Sequence, residues 1–156
     1  MDLKRVDDLY RDNVILDHCR NPRNSEYLND ADLNFDAVNS FCGDEIHIQV
    51  NINESYKIIN IGHQSEGCAI NQATGSLISE YIKGLYLYQV IKFVSDFSNV
   101  MESKLKTPSD EDIISKLGDL EILYREKFMI GKSKETIYKC LILEICKFYI
   151  ELKSFR

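Results

Sequence analysis

The sequence has little positive charge, and this shortage narrows the classes of partner that it can bind. Its 19 lysines and arginines stand against 25 aspartates and glutamates, so the net charge is −6, and the pI is about 5.1. No run of lysine or arginine forms a basic patch that could complement a phosphate backbone. We therefore do not expect nucleic acid as a partner.

Long apolar runs are missing as well. Nowhere do apolar residues approach the roughly 18 in a row that span a bilayer, and the first residues, MDLKRVDDLY, contain no apolar core of a secretory signal. We expect a soluble, cytoplasmic protein without membrane contact. Because 44% of its 156 residues are apolar, the chain can bury a core of its own as a single domain.

Several sequence signatures of catalysis are absent. The chain has no nucleophile elbow, no glycine-rich phosphate loop and no pair of histidines at helical spacing. Its three histidines, His18, His47 and His63, are isolated, and we expect each of them at the surface. The five cysteines are an odd number in a chain that can fold without disulfides, which favours reduced thiols or metal ligands.

Three segments have the pattern of β-strands. Apolar and polar residues alternate strictly over 45–53, which predicts a half-buried strand. Residues 56–63 are rich in β-branched side chains and predict its antiparallel partner, and 33–38 adds a third strand. The predicted sheet is therefore small and antiparallel.

Helical patterns flank these strands. Residues 6–19 predict a first helix, and apolar spacing of three and four predicts another between Gly67 and Gly84. A further apolar segment at 85–97 is followed by a polar loop at about 102–112, which we expect to be a mobile insertion, and by a final helix at 133–152. Strands grouped before helices predict an α+β fold, in which helices pack on one face of the three-stranded sheet within one domain of residues 1–156.

Two short motifs bring sulfur and oxygen donors to the ends of the predicted hairpin. In Cys42-Gly43-Asp44 an extended backbone would place the thiol and the carboxylate on one side, although a simple turn is the alternative. Cys68 lies where the helix after the hairpin begins, and the positive helix end there favours the thiolate. A buried, inert cysteine is the alternative at this position.

The remaining cysteines divide into one candidate ligand and two structural residues. Cys140 lies in the final helix beside Lys139, and core packing is the default interpretation for it. Cys146 points about 120° away from Cys140, and Cys19 has no partner at ligand spacing, so both are interpreted as structural. Together Cys42, Asp44, Cys68 and Cys140 would make the four donors that zinc or an iron–sulfur site takes, but no periodicity shows that they meet.

An N-terminal signature and three cysteine motifs occur in a fixed order: Leu9-Tyr10-Arg11 with Asp17-His18 and Asn21-Pro22-Arg23-Asn24, then Cys42-Gly43-Asp44, Glu66-Gly67-Cys68-Ala69-Ile70 and Lys139-Cys140. In this order they resemble the U-type iron–sulfur cluster scaffold family, NifU/IscU/SufU, over about 9–152. Three features resemble the SufU branch more than the IscU branch. Lys139 stands where IscU-like proteins carry a histidine, a long insertion precedes Cys140, and the chaperone-recognition proline motif is missing. One departure is that Ile137 and Tyr138 stand where SufU-like sequences carry an arginine.

The resemblance implies a SufE/NifU-like fold and a zinc site made by Cys42, Asp44, Cys68 and Cys140. It also implies that a SufS-like cysteine desulfurase hands persulfide sulfur to Cys42, for delivery to a downstream iron–sulfur carrier or scaffold. Two alternatives stay open. The same thiolates could hold iron, so that the protein assembles and transfers a [2Fe–2S] cluster, or the metal could be a structural staple in an interaction protein without sulfur transfer.

Overall fold

The computed structural model describes residues 12–38, 43–102, 112, 115–116 and 118–120. These residues contain, in chain order, the elements α1 (Asn13–Arg20), β1 (Leu33–Val38), β2 (Glu45–Ile52), β3 (Ile58–Glu66), α2 (Ala69–Ile82), α3 (Leu87–Glu102) and a 3-10 turn at Gly118–Leu120. The strands form one antiparallel sheet in the order β1-β2-β3. The predicted α+β fold is confirmed. Among the described residues, no helix is long and apolar enough to cross a membrane.

The alternation in β2 places the core on one face of the sheet. Ile46, Ile48 and Val50 are almost fully buried, because every second side chain of a strand points to the same face. Ile48 lies opposite Phe35 of β1 and His63 of β3, so the three strands contribute to one layer. On the other face Gln49 is covered by a loop, where its amide donates to the Leu28 carbonyl at 3.0 Å.

Helix α2 covers the core face of the sheet. Its apolar residues Ile70, Ala73, Leu77 and Ile78 are buried, which confirms the apolar spacing predicted between Gly67 and Gly84. The helix lies close to β3 because residue 75 is a glycine: a Cβ there would lie 2.4 Å from the Ser65 hydroxyl oxygen. The core cluster consists of Ile15, Phe35, Ile46, Ile48, Val50, Ile58, Ile61, Ile70, Ala73, Leu77, Ile78, Ile82, Leu87, Val90, Phe93, Val94 and Phe97.

Several predicted element boundaries differ from the structure. The first helix, predicted at 6–19, begins only at Asn13, because Asp12 is extended and its carboxylate caps the helix by accepting from the Val14 N–H at 2.9 Å. Strand β3 begins at Ile58 because Tyr56 has a φ of 59° in the preceding turn. Helix α3 continues through Glu102, the first residue of the predicted loop.

Parts of the remaining predictions lie outside the described residues. These are residues 6–11 of the first helix, residues 103–111 of the expected insertion and the whole final helix at 133–152.

Candidate metal centre

Asp44 and Cys68 meet at the end of the sheet, as candidate ligands of one centre should. The Cys68 thiol donates to Asp44 Oδ2 at 3.2 Å, and the Cys68 backbone N–H donates to Asp44 Oδ1 at 2.9 Å. Asp44 is buried, although it carries a carboxylate. The two residues converge because Glu45, which follows Asp44, and Glu66, two residues before Cys68, are register partners in the β2–β3 ladder.

Cys68 is the N-cap residue of α2. Its backbone is extended, and its sulfur accepts from the Asn71 N–H at 3.4 Å. An N-cap side chain normally satisfies one of the free N–H groups in the first helical turn. The predicted position of Cys68 at the start of this helix is therefore confirmed.

Gly67 allows the carboxylate to lie against the start of α2. Its φ is 120°, and a Cβ at this position would lie 2.1 Å from Asp44 Oδ1. A side chain at residue 67 would thus occupy the space that Asp44 fills. The neighbouring Gly43 has a φ of 76°, and apart from its chain neighbours no atom of the described residues lies within 4 Å of the position that a Cβ would take.

The protonation of Cys68 differs from the sequence-based expectation. Burial raises the pKa of the Cys68 thiol, the hydrogen bond to Asp44 and the charge of this carboxylate raise it further, and the N–H groups of Asn71 and Ile70 lower it. The net direction is upward: the helix end favours the thiolate as expected, but burial and Asp44 outweigh it. A metal ion would reverse this balance, because coordination deprotonates a thiol.

The predicted ligand set is only partly within the described residues. Cys42 and Cys140 lie outside them, so the structure brings together Asp44 and Cys68 alone. In the described part of the chain, no group of three or more His, Cys, Asp or Glu side chains is arranged to hold a metal ion. The chemistry of the pair nevertheless fits zinc, which accepts thiolate sulfur and carboxylate oxygen together.

Cys19 and the histidines lie apart from this pair. Cys19 donates to the Gln72 side-chain oxygen at 3.6 Å, while Cys146 lies outside the described residues. The expectation of three surface histidines is wrong for His18 and His63, because only 2% of each residue is exposed. They bind other parts of the chain, whereas His47 is partly exposed and pairs with Asp36.

Sequence reasoning missed Asn71, which lies directly behind the pair. Its amide group donates to the carbonyl oxygens of Glu45 and Glu66, each at 2.9 Å. Asn71 is almost fully buried. Asn71 lies seven and eleven residues before the buried Ile78 and Ile82, which places it on the buried face of the helix, and a polar side chain on that face is the signal that could have indicated it.

Comparisons with known proteins identify the family. A family model described as NifU-like N terminal domain matches residues 9–126. The zinc-dependent sulfurtransferase SufU of Bacillus subtilis (strain 168) is 34% identical over 118 residues, which are 76% of this chain and 75% of that protein. The iron-sulfur cluster assembly scaffold protein IscU 1 of Archaeoglobus fulgidus is 35% identical over 88 residues, 56% of each chain.

A solved structure shows the same fold. FiSufU from Fervidobacterium islandicum AW-1 superposes with a TM-score of 0.71 at 20% identity, over 86% of this chain and 95% of that one. The chain therefore belongs to the NifU-like N-terminal domain family, which includes the SufU and IscU proteins of iron–sulfur cluster assembly. The resemblance inferred from the motifs is confirmed. The family match includes Cys42, Asp44 and Cys68 and ends before Cys140.

Proposed function

We propose that this protein is a zinc-dependent sulfur acceptor, which takes persulfide sulfur from a SufS-like cysteine desulfurase in the cytoplasm and passes it to iron–sulfur cluster assembly. The observation that carries the proposal is the contact between the Cys68 thiol and the buried Asp44 carboxylate. Among the described residues no cation pairs with this carboxylate, so a bound metal ion would compensate its burial. The similarity to a zinc-dependent sulfurtransferase supports the same function.

Four residues would hold the zinc. Asp44 and Cys68 form one side of the site, and Cys42 and Cys140 would complete a tetrahedral set. Bound zinc keeps cysteine ligands deprotonated at neutral pH. Asp44 would be the harder ligand among thiolates and therefore the more exchangeable one. Cys42 is next to Gly43, which is exposed, and this exposure supports its choice as the residue that meets the partner.

The transfer itself would be a thiol exchange at Cys42. The Cys42 thiolate attacks the outer sulfur of the persulfide on the desulfurase, and the cysteine of the desulfurase leaves as a thiolate. One S–S bond forms as one breaks, so Cys42 becomes the persulfide and no added oxidant or reductant is needed. Cys68 and Cys140 would keep the metal in place while Cys42 reacts.

The acceptor role is tested by removing the proposed acceptor thiol. We expect Cys42→Ala to abolish the stimulation of a partner desulfurase, because the persulfide then has no thiolate to attack it. Cys19→Ser is the matched control, since it removes a described thiol outside the site. It should retain the stimulation of the wild type. Sulfide release measured with each variant decides, and full stimulation by Cys42→Ala would rule out the acceptor role.

A second candidate function is a scaffold on which a [2Fe–2S] cluster is assembled and from which it is transferred. The similarity to an archaeal scaffold protein favours it, and the same thiolates could bind iron. The metal content of protein purified without added metal distinguishes the two functions. Zinc supports the sulfur acceptor, whereas iron with acid-labile sulfide supports the scaffold.

A further inference from the structure

Asn71 connects the two strands that carry the candidate site. Its side-chain N–H groups donate to the carbonyl oxygen of Glu45, the first residue of β2, and to that of Glu66, the last residue of β3. Glu45 is the residue after Asp44, and Glu66 is two residues before Cys68. Because a carbonyl oxygen can only accept, these two partners fix the orientation of the Asn71 amide.

The position of Asn71 in the helix makes this contact unusual. Asn71 is the third residue of α2 after the Cys68 cap, where a polar side chain often accepts from the N–H of the cap residue. Here the Cys68 N–H donates to Asp44 instead. The Asn71 amide is therefore free to bind both strand ends, and its own oxygen has no partner among the described residues.

We propose that Asn71 is the positioning residue that sets the separation of the Asp44 carboxylate and the Cys68 thiol. This inference rests on the proposed zinc site for its functional meaning. The Asn71 amide group binds both members of the Glu45–Glu66 register pair and so fixes the distance of this pair from the start of α2. The Asn71 backbone N–H binds the Cys68 sulfur at 3.4 Å, so the same residue also fixes the thiol.

Loss of the Asn71 amide would remove the hydrogen bonds that hold the ends of β2 and β3 to the start of α2. Two carbonyl oxygens in a partly buried location would each lose the Asn71 donor, and a buried acceptor that loses a donor without a replacement is costly. The ends of β2 and β3 would then separate or admit water. Asp44 and Cys68 belong to different strand ends, so their separation is the quantity that changes most.

The test compares zinc affinity in variants of the full chain. Asn71→Leu keeps the branching of the side chain but has no N–H groups, and we expect it to weaken zinc binding about 10- to 100-fold, as changes behind a metal ligand commonly do. Asn71→Ala is the second variant, since water can reach the freed carbonyl groups and the fold is disturbed less. Affinity is measured by competition with a chromogenic chelator.

Ser76→Ala is the matched control for a general loss of stability. It lies in the same helix and removes the hydroxyl group that contacts the His18 ring and the Arg23 N–H, each at 2.8 Å. Zinc affinity should stay at the wild-type value in this variant. Equal affinity in the Asn71 variants and in Ser76→Ala would overturn the positioning role.

A second readout separates this inference from the proposed function. In chelator-treated protein, the Cys68 N–H that binds Asp44 should exchange with solvent faster in Asn71→Ala than in Ser76→Ala. Unchanged exchange would overturn the positioning role without reference to zinc. A wild-type protein that binds no zinc would instead refute the proposed site, while faster exchange at Cys68 would still support the role of Asn71.

Discussion

At the residue scale, the site depends on a few contacts of short reach. The Asp44 carboxylate occupies the space that a side chain at Gly67 would fill, and it accepts a hydrogen bond from the Cys68 N–H at the start of α2. These contacts join residues that are 24 positions apart in the chain. The site is therefore sensitive to single changes that leave the hydrophobic core intact.

Gly67→Ala should disrupt the site more than an equivalent change elsewhere. Gly67 and Gly84 both have positive φ, at 120° and 84°, but only at Gly67 would a Cβ collide with Asp44. We expect Gly84→Ala to cost about 1–3 kcal/mol for the backbone conformation alone. Gly67→Ala should cost more and also abolish zinc binding. Urea unfolding and zinc titration of both variants provide the measurement, and equal effects would contradict the role of Gly67.

Some of these residue contacts could be predicted from the sequence and others could not. The motif resemblance places Asp44 and Cys68 in one ligand set, although no periodicity shows that they meet; in the structure the Glu45–Glu66 register pair brings them together. The raised pKa of Cys68 could not be predicted, because it results from burial and from the carboxylate across the hairpin. Asn71 could be noticed as a polar residue on the buried face of α2, but its role could not be predicted, because its partners are backbone carbonyl groups of two strands.

At the scale of elements, two buried histidines attach α1 and the segment after it to the rest of the fold. The His18 ring contacts the Ser76 hydroxyl of α2 at 2.8 Å, and His63 of β3 donates from Nε2 to the Arg23 carbonyl oxygen at 2.8 Å. Arg23 also donates its backbone N–H to Ser76. The Asn21-Pro22-Arg23-Asn24 motif thus joins α1, α2 and β3.

This attachment should weaken in mild acid. Burial lowers the pKa of both histidines. The Arg23 charge lowers the pKa of His18 further, whereas the carboxylates of Glu80, Asp17 and Asp119 raise it. The hydrogen bond to the Arg23 carbonyl group raises the pKa of His63 and offsets part of the effect of burial. As the pH falls below the histidine pKa of the unfolded chain, about 6.5, the unfolded chain binds more protons than the folded one. The free energy of unfolding therefore decreases as the pH is lowered.

We therefore expect the urea midpoint to be lower at about pH 5.5 than at about pH 7.5 and to level off above the unfolded pKa of histidine. His63→Gln should reduce this dependence, because glutamine can still donate to the Arg23 carbonyl group and does not titrate. Midpoints that are equal at both pH values, or higher in acid, would refute the expectation.

The order and type of the described elements could be predicted well, but several boundaries could not. Strand β1 begins and ends at the predicted residues 33 and 38, because alternation and turn residues define it. The predicted start of α1 at residue 6 was wrong, because the apolar spacing gives no sign of the end that the Asp12 side chain imposes by capping the helix. Likewise, the β-branched pattern includes Tyr56, whose positive φ excludes it from the strand.

At the scale of the whole molecule, the described core is built from apolar side chains, and the two described candidate ligands lie outside its buried cluster. The buried cluster extends from Ile15 of α1 through the sheet to Phe97 of α3, does not include Asp44, and is contacted at its margin by the partly buried Cys68. A metal ion would thus be bound by a fold that apolar burial already stabilises.

Chelation should remove the metal without unfolding the protein. We expect the far-ultraviolet circular dichroism spectrum to be unchanged by a strong chelator, with a cooperative urea transition retained. Small zinc fingers behave differently, because apparent binding energies of about 10–16 kcal/mol supply their stability. Unfolding on chelation would instead favour the structural-staple alternative.

The position of the site at the open end of the β2–β3 hairpin has a consequence for the order of events during synthesis. Asp44 leaves the ribosome 24 residues ahead of Cys68, and the two meet only after the strands have paired and α2 has begun to form. The nascent chain cannot offer both donors to an ion before then. If the proposed zinc site forms, metallation would be a late step in maturation, and a cell that limits zinc would accumulate a folded, metal-free precursor rather than an unfolded one.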